Sequence, residues 1–328
     1  MRDTSLSWQK KLAQGFTSAA ALLEYLDLPI TPGSILAEKL FSSRIPLGFA
    51  QRMQKGNPND PLLLQVLATA NELATPAGFE TDPLRERKSN PLKGLIHKYH
   101  GRVLITLTGI CAVNCRFCFR RHFPYQDNNP GRLGFKDIGE YIRKDKSITE
   151  VILSGGDPLL ASDLVLTELI QQLEQIPHVH TLRFHTRIPV VFPERIDQTF
   201  LDILAHTQLH KVIVVHSNHP QELDDGAVRQ AVQALRQVGC HLLNQAVLLA
   251  GINDDAQILA SLSQALFAQR ILPYYLHVLD KVQGAAHFDL PFTKAQEIYQ
   301  QLQKLVPGYL LPRLVREEPE KLSKTLLI

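Results

Sequence analysis

The chain has 328 residues, 45% hydrophobic and 20% charged, which suits one large core with an appendage. Its 35 basic residues face 32 acidic ones for a formal net charge of +3, so no basic excess argues for a nucleic-acid partner. Four cysteines, three of them between positions 111 and 118, exclude a disulfide framework and suit a reducing cytoplasm.

No apolar run reaches the roughly 18 residues of a membrane span. The stretch around Arg2, Asp3, Lys10 and Lys11 lacks the apolar segment of a signal peptide, so a soluble, cytoplasmic protein is expected. Residues 1–98 read as an N-terminal helical cap region. Helical spacing of apolar residues occurs at 17–26 and 61–74, and prolines punctuate the remainder. The run 82–88 reads as a solvated charged loop.

From 99 to 308 the rhythm changes. Strand-like runs at 103–108, 150–156, 181–187, 211–218, 242–251 and 272–280 alternate with helical patterns, as in βα units. Leu166, Leu169, Ile170 and Leu173 form one helical stripe. Val228, Val232 and Leu235 form another, capped by Asp224 or Asp225 and stopped by Gly239. Continuously apolar strands between helices predict a parallel sheet. Six units are too few for a closed eightfold barrel, so the expected fold is α/β: an open, partial (β/α)6 barrel with a C-terminal segment, 309–328.

Active sites of such barrels lie at the C-terminal strand ends. Those ends carry Thr108 before the cysteines, Gly155-Gly156-Asp157, His185-Thr186-Arg187, His216 through His219, and His277 through Asp280. Asn244 and Gln245 fall near the start of the fifth run. Cys111, Cys115 and Cys118 are spaced C-x3-C-x2-C. Thiolates are soft ligands for iron–sulfur clusters or zinc, and three of them leave a fourth metal position open. A structural zinc site completed by His122 is the bland alternative, and Cys240 reads as a small buried hydrophobe.

This spacing after an apolar strand resembles the signature of radical S-adenosylmethionine (radical SAM) enzymes. The longer run from Cys111 through Arg121 resembles, more particularly, the lysine 2,3-aminomutase family. The resemblance implies a [4Fe–4S] cluster on Cys111, Cys115 and Cys118, with SAM on the fourth iron. It implies SAM contacts from Gly155, Gly156, Asp157, His185 and Arg187. Tyr99, Arg102, Asn244 and Gln245 match positions that hold pyridoxal 5′-phosphate (PLP), Arg102 by its forked donors. Lys324 is the matching Schiff-base lysine, with Lys321 its rival.

By the same resemblance, Arg120 binds the substrate α-carboxylate, and Asp280 meets a distal ammonium, which favours L-lysine over glutamate. The family's second aspartate, seven residues before the PLP lysine, is Glu317 here. The branch resembled makes (R)-β-lysine for elongation factor P and its lysyl ligase. Oligomerisation is left open. The other readings are a radical SAM enzyme acting on another amino acid such as glutamate, one that consumes SAM, and a zinc-holding interaction protein.

Overall fold

The computed structural model describes residues 7–328, so Arg2 and Asp3 lie outside the described residues. Nine strands form one sheet in chain order: β1 (Leu95–Tyr99), β2 (Arg102–Thr108), β3 (Glu150–Gly155), β4 (Thr181–Thr186), β5 (His210–His216), β6 (His241–Val247), β7 (Leu272–His277), β8 (Arg313–Arg316) and β9 (Thr325–Leu326). Strands β2 through β8 are parallel, and β1 and β9 are antiparallel to their neighbours. The sheet runs from β1 to β9 without closing, which is the partial barrel expected from six βα units.

The helices fold for the reasons their sequences give. Asp163–Glu174 starts at Ser162, whose hydroxyl accepts from the Val165 N–H, and buries Leu166, Leu169, Ile170 and Leu173. Gly226–Gln237 starts at Asp225, whose carboxylate accepts from the Ala227 and Val228 amides, and buries Val228, Val232 and Leu235. Each stripe packs on the sheet, and the same core continues into Leu22, Leu26, Phe49, Leu62, Leu63 and Val66 of the N-terminal segment. Cys240 is buried as expected, and burial pushes its thiol up to about 12.

Two local expectations differ. The helix over 61–74 is broken into Pro61–Leu64 and a 3-10 turn, Ala70–Leu73. The Gln65 carbonyl accepts instead from the Arg116 N–H at 2.9 Å, and its buried side chain bonds to Glu222, so tertiary bonds replace the helical ones. Strand β1 occupies the end of a region read as helical and irregular. The C-terminal segment forms the β8–β9 pair, closed by the Leu327 N–H on the Leu314 carbonyl at 3.1 Å. Among the described residues, no helix is long and apolar enough to cross a membrane.

Candidate active site

Side chains alternate across a strand, and here the inward positions are polar. Strand β3 turns Glu150, Ile152 and Ser154 inward, and β4 with its end turns Arg183, His185 and Arg187 inward. Strand β4 is therefore an alternating strand and not a continuously apolar one. These residues line a cavity of about 720 Å³ that runs the height of the barrel, where a closed barrel would pack apolar side chains.

The cysteines stand at its C-terminal end, and Cys115 lines the cavity. Their loop is pressed onto the end of β3. Gly155 has φ +120°, and a Cβ there would meet the Thr108 carbonyl oxygen at 2.5 Å; one on Gly156 would meet the Ile110 carbonyl oxygen at 2.4 Å. The Gly156 and Asp157 amides donate to those two carbonyls at 2.6 and 2.8 Å. The glycines thus serve close approach of the cysteine loop's backbone. The Asp157 carboxylate accepts from the Thr186 hydroxyl at 2.7 Å and from the Arg187 N–H at 2.8 Å, joining β3 to β4. Burial, only partly offset by these bonds, raises its pKa to about 6.

Beneath the cysteines lie two buried clamps. The fully buried Glu72 takes Arg116 on both oxygens, at 2.7 and 2.6 Å, and Arg121 at 2.7 Å. Arg187 donates to Cys115 Sγ at 2.8 Å, to Gln65 Oε1 at 2.5 Å and to Glu222 Oε2 at 2.9 Å.

One side wall is a chain of charges. Arg120 grips Glu86 through Nε and Nη2 at 2.7 and 2.8 Å, and gives Nη1 to the Ser154 hydroxyl at 2.9 Å. Lys98 bridges Glu86 at 3.1 Å and Glu317 at 2.9 Å; the other Glu317 oxygen takes Lys324 at 2.5 Å. The hairpin of β8 and β9 is what brings Lys324 back to Glu317. Burial alone would raise Glu317, but Lys324 and Lys98 outweigh it and hold the carboxyl well below its usual range. Asp280, beside them, carries no ion pair among the described residues, and burial and then Glu317 push it up to about 7. Lys321 is exposed and does not line the cavity.

The loop 82–88 is not simply solvated: Glu86 is 3% exposed and anchors this wall. Glu86 and Lys98 were invisible to sequence reading, because neither falls in a motif or a periodic stripe and their partners lie far along the chain.

At the opposite end, Arg102 lies over the Tyr99 ring, 4.6 Å from its centroid, near Arg183 and Arg313. Arg183 pairs with Glu150, and its buried Nε has no partner. Burial pushes the Tyr99 phenol up, with Glu317 adding to it. His185, His216 and His277 line the lumen, and burial above all lowers each, His216 and His277 to about 3, so they are neutral near pH 7. The Nε2 atoms of His185 and His277 are unpartnered, whereas His216 Nε2 meets Gln245 Nε2 at 2.9 Å. Asn244 and Gln245 sit mid-strand, not near the start of β6, and face opposite ways. Gln245 lines the cavity; Asn244 pairs with the Ser217 backbone at 3.0 and 3.1 Å.

The donor set suits the implied groups. Three sulfurs come from one short loop, and burial with their mutual repulsion raises the Cys111 and Cys118 thiols, a strain that cationic iron relieves. His122, the fourth ligand of the zinc alternative, instead places Nε2 3.1 Å from the Gln283 carbonyl. The unpartnered Arg183 Nε, with Arg102 and Arg313 nearby, suits a phosphate.

The model of the radical SAM superfamily matches residues 105–262. The chain is 49% identical to the L-lysine 2,3-aminomutase of Haemophilus influenzae over 322 residues, covering 98% of this chain and 95% of the relative. It is 48% identical to the L-lysine 2,3-aminomutase of Escherichia coli over 321 residues, covering 97% and 93%. Among solved structures, Streptococcus suis SuiB bound to precursor peptide SuiA aligns with TM-score 0.47 and 16% identity, over 64% of this chain and 46% of that one.

The fold and the cysteine loop are therefore those of a radical SAM enzyme. Within that superfamily the chain belongs to the L-lysine 2,3-aminomutase family, a family of isomerases. Its cofactors are a [4Fe–4S] cluster, SAM and PLP.

Proposed function

We propose that this enzyme converts L-lysine to (R)-β-lysine, and that the product serves the modification of elongation factor P by its lysyl ligase. The observation that carries the substrate is one cavity holding an arginine at one point and a half-buried carboxyl without an ion pair among the described residues, Asp280, at another. An α-carboxylate and a side-chain ammonium answer those two charges. A glutamate side chain would instead meet Asp280 and Glu317, like charge against like.

When bound, the cluster and SAM supply a radical that abstracts hydrogen, and PLP carries the amino group through its shift. In this reading Cys111, Cys115 and Cys118 hold the cluster. His185, whose buried Nε2 has no partner, faces SAM, with Arg187 lining that wall and Gly155, Gly156 and Asp157 shaping the turn behind it. Lys324 anchors PLP, Arg102 and Tyr99 receive its phosphate end, and Gln245 with Asn244 behind it fixes its ring. Arg120, already aimed by Glu86 and Ser154, turns its remaining N–H groups to the α-carboxylate. Glu317 and Asp280 hold the ε-ammonium, Glu317 gaining freedom once Lys324 is no longer an ammonium. The barrel walls exclude water and position the reacting carbons.

The test is anaerobic incubation of cluster-loaded protein with L-lysine, SAM, PLP and dithionite, resolved by chiral chromatography. Formation of (R)-β-lysine with SAM conserved is expected. SAM cleavage with lysine unchanged would overturn the substrate.

A further inference from the structure

The cysteine that lines the lumen is also the one whose sulfur receives a charged donor. Among the described residues, Arg187 Nη1 is the side-chain donor on Cys115 Sγ, at 2.8 Å. Both terminal nitrogens of the guanidinium are engaged, while its buried Nε has no partner. Its Nη2 donates to Glu222 Oε2 at 2.9 Å and to Gln65 Oε1 at 2.5 Å. Those two acceptors are themselves locked. Gln65 Nε2 donates to Glu222 Oε1 at 3.2 Å, and Asn218 Nδ2 donates to Gln65 Oε1 at 2.9 Å. The rings of Phe49 and Phe117 lie 5.8 and 5.6 Å from the guanidinium carbon. Arg187 is 5% exposed and Glu222 is fully buried.

From this we propose that Arg187, held by Glu222 and Gln65, is a positioning residue that raises the reduction potential of the [4Fe–4S] cluster through an N–H···S bond to Cys115. Hydrogen bonds to cluster sulfurs and nearby charge are among the factors that set such potentials. The donor draws electron density from sulfur, and the guanidinium charge favours the state with one more electron. The step concerned is the one-electron reduction of the cluster from 2+ to 1+, the electron coming from an external low-potential reductant. No bond to Arg187 forms or breaks. A further consequence concerns the N-terminal segment: Gln65 couples it to the cluster electronically as well as by packing.

The experiment uses the full chain, reconstituted anaerobically and without SAM or lysine, so its outcome does not depend on which substrate the enzyme takes. Spectroelectrochemical titration with dithionite as reductant compares the wild type with Arg187→Lys and with the double variant Arg187→Gln/Glu222→Gln, which removes both members of the buried pair together. At equal iron and sulfide content, the double variant should titrate at a more negative potential, and Arg187→Lys, which keeps the charge, should fall between it and the wild type. A fully loaded double variant at the wild-type potential overturns the proposal. Should the variants fail to hold iron, the contact that the proposal requires is still tested on the wild type. Protein grown on guanidino-15N arginine should show a 15N hyperfine coupling to the reduced cluster in pulsed EPR, and absence of that coupling overturns the proposal.

Discussion

The two charged regions differ in the carboxyl group that stands beside their ion pairs. Under the cysteines, Arg116 and Arg121 pair with Glu72 and Arg187 with Glu222, while Asp157 is taken up by the Thr186 hydroxyl and the Arg187 amide. On the tail side, Arg120, Lys98 and Lys324 pair with Glu86 and Glu317, and Asp280 beside them has no ion pair among the described residues. In the proposed function Lys324 gives up its ammonium charge to a cofactor, which removes one positive charge from that wall. In that reading the first region holds the cluster and the second admits a cation. Buried ion pairs contribute little net stability, and losing one partner is costly, so both arrangements are better understood as placing charge than as holding the fold.

Cys115→Ser should abolish the brown colour and reduce SAM cleavage to background, read by absorbance and by chromatography of 5′-deoxyadenosine. Lys324→Ala should next remove the visible PLP band and its fixation by borohydride, with turnover at background, whereas Lys321→Ala should leave both intact. Glu72→Ala strands Arg116 and Arg121 in the core and should cost about 3–5 kcal/mol in denaturant unfolding. Asp280→Asn should raise the KM for lysine about 10–100-fold, the usual scale for a lost charged hydrogen bond.

Protonation sharpens the last case. Asp280 titrates at about 7 in the free site, and an ammonium prefers its ionised form. Lysine binding should therefore weaken as pH falls below about 7, as protonation removes the charge, and level off above it. Binding isotherms across pH should show this slope in the wild type and lose it in Asp280→Asn.

Much of this was legible in the sequence. The cysteine spacing and the β2–β7 strands all stand where their residues put them, because apolar strands and capped amphipathic helices are local signals. The seven-residue offset from Glu317 to Lys324 likewise corresponds to a direct contact. The Thr-Leu-Arg-Phe-His-Thr-Arg run of β4 did carry the signal of a polar lumen, since its alternation differs from the continuous apolarity of a filled barrel. What could not be read is long-range pairing. Glu86 meets Arg120 across 34 positions, and Gln65 meets Glu222 across 157, so nothing local marks either. The break in the helix after Leu64 has the same origin, since tertiary partners claimed its backbone and side chain.

Selection of a side-chain ammonium by Asp280 and Glu317 is read from kcat/KM for L-lysine and L-norleucine, which lacks only that amine. The wild type should prefer lysine by about 10²-fold or more, the scale of one desolvated charge pair, and Asp280→Asn should erase most of the preference. Equal turnover of the two by the wild type would contradict it.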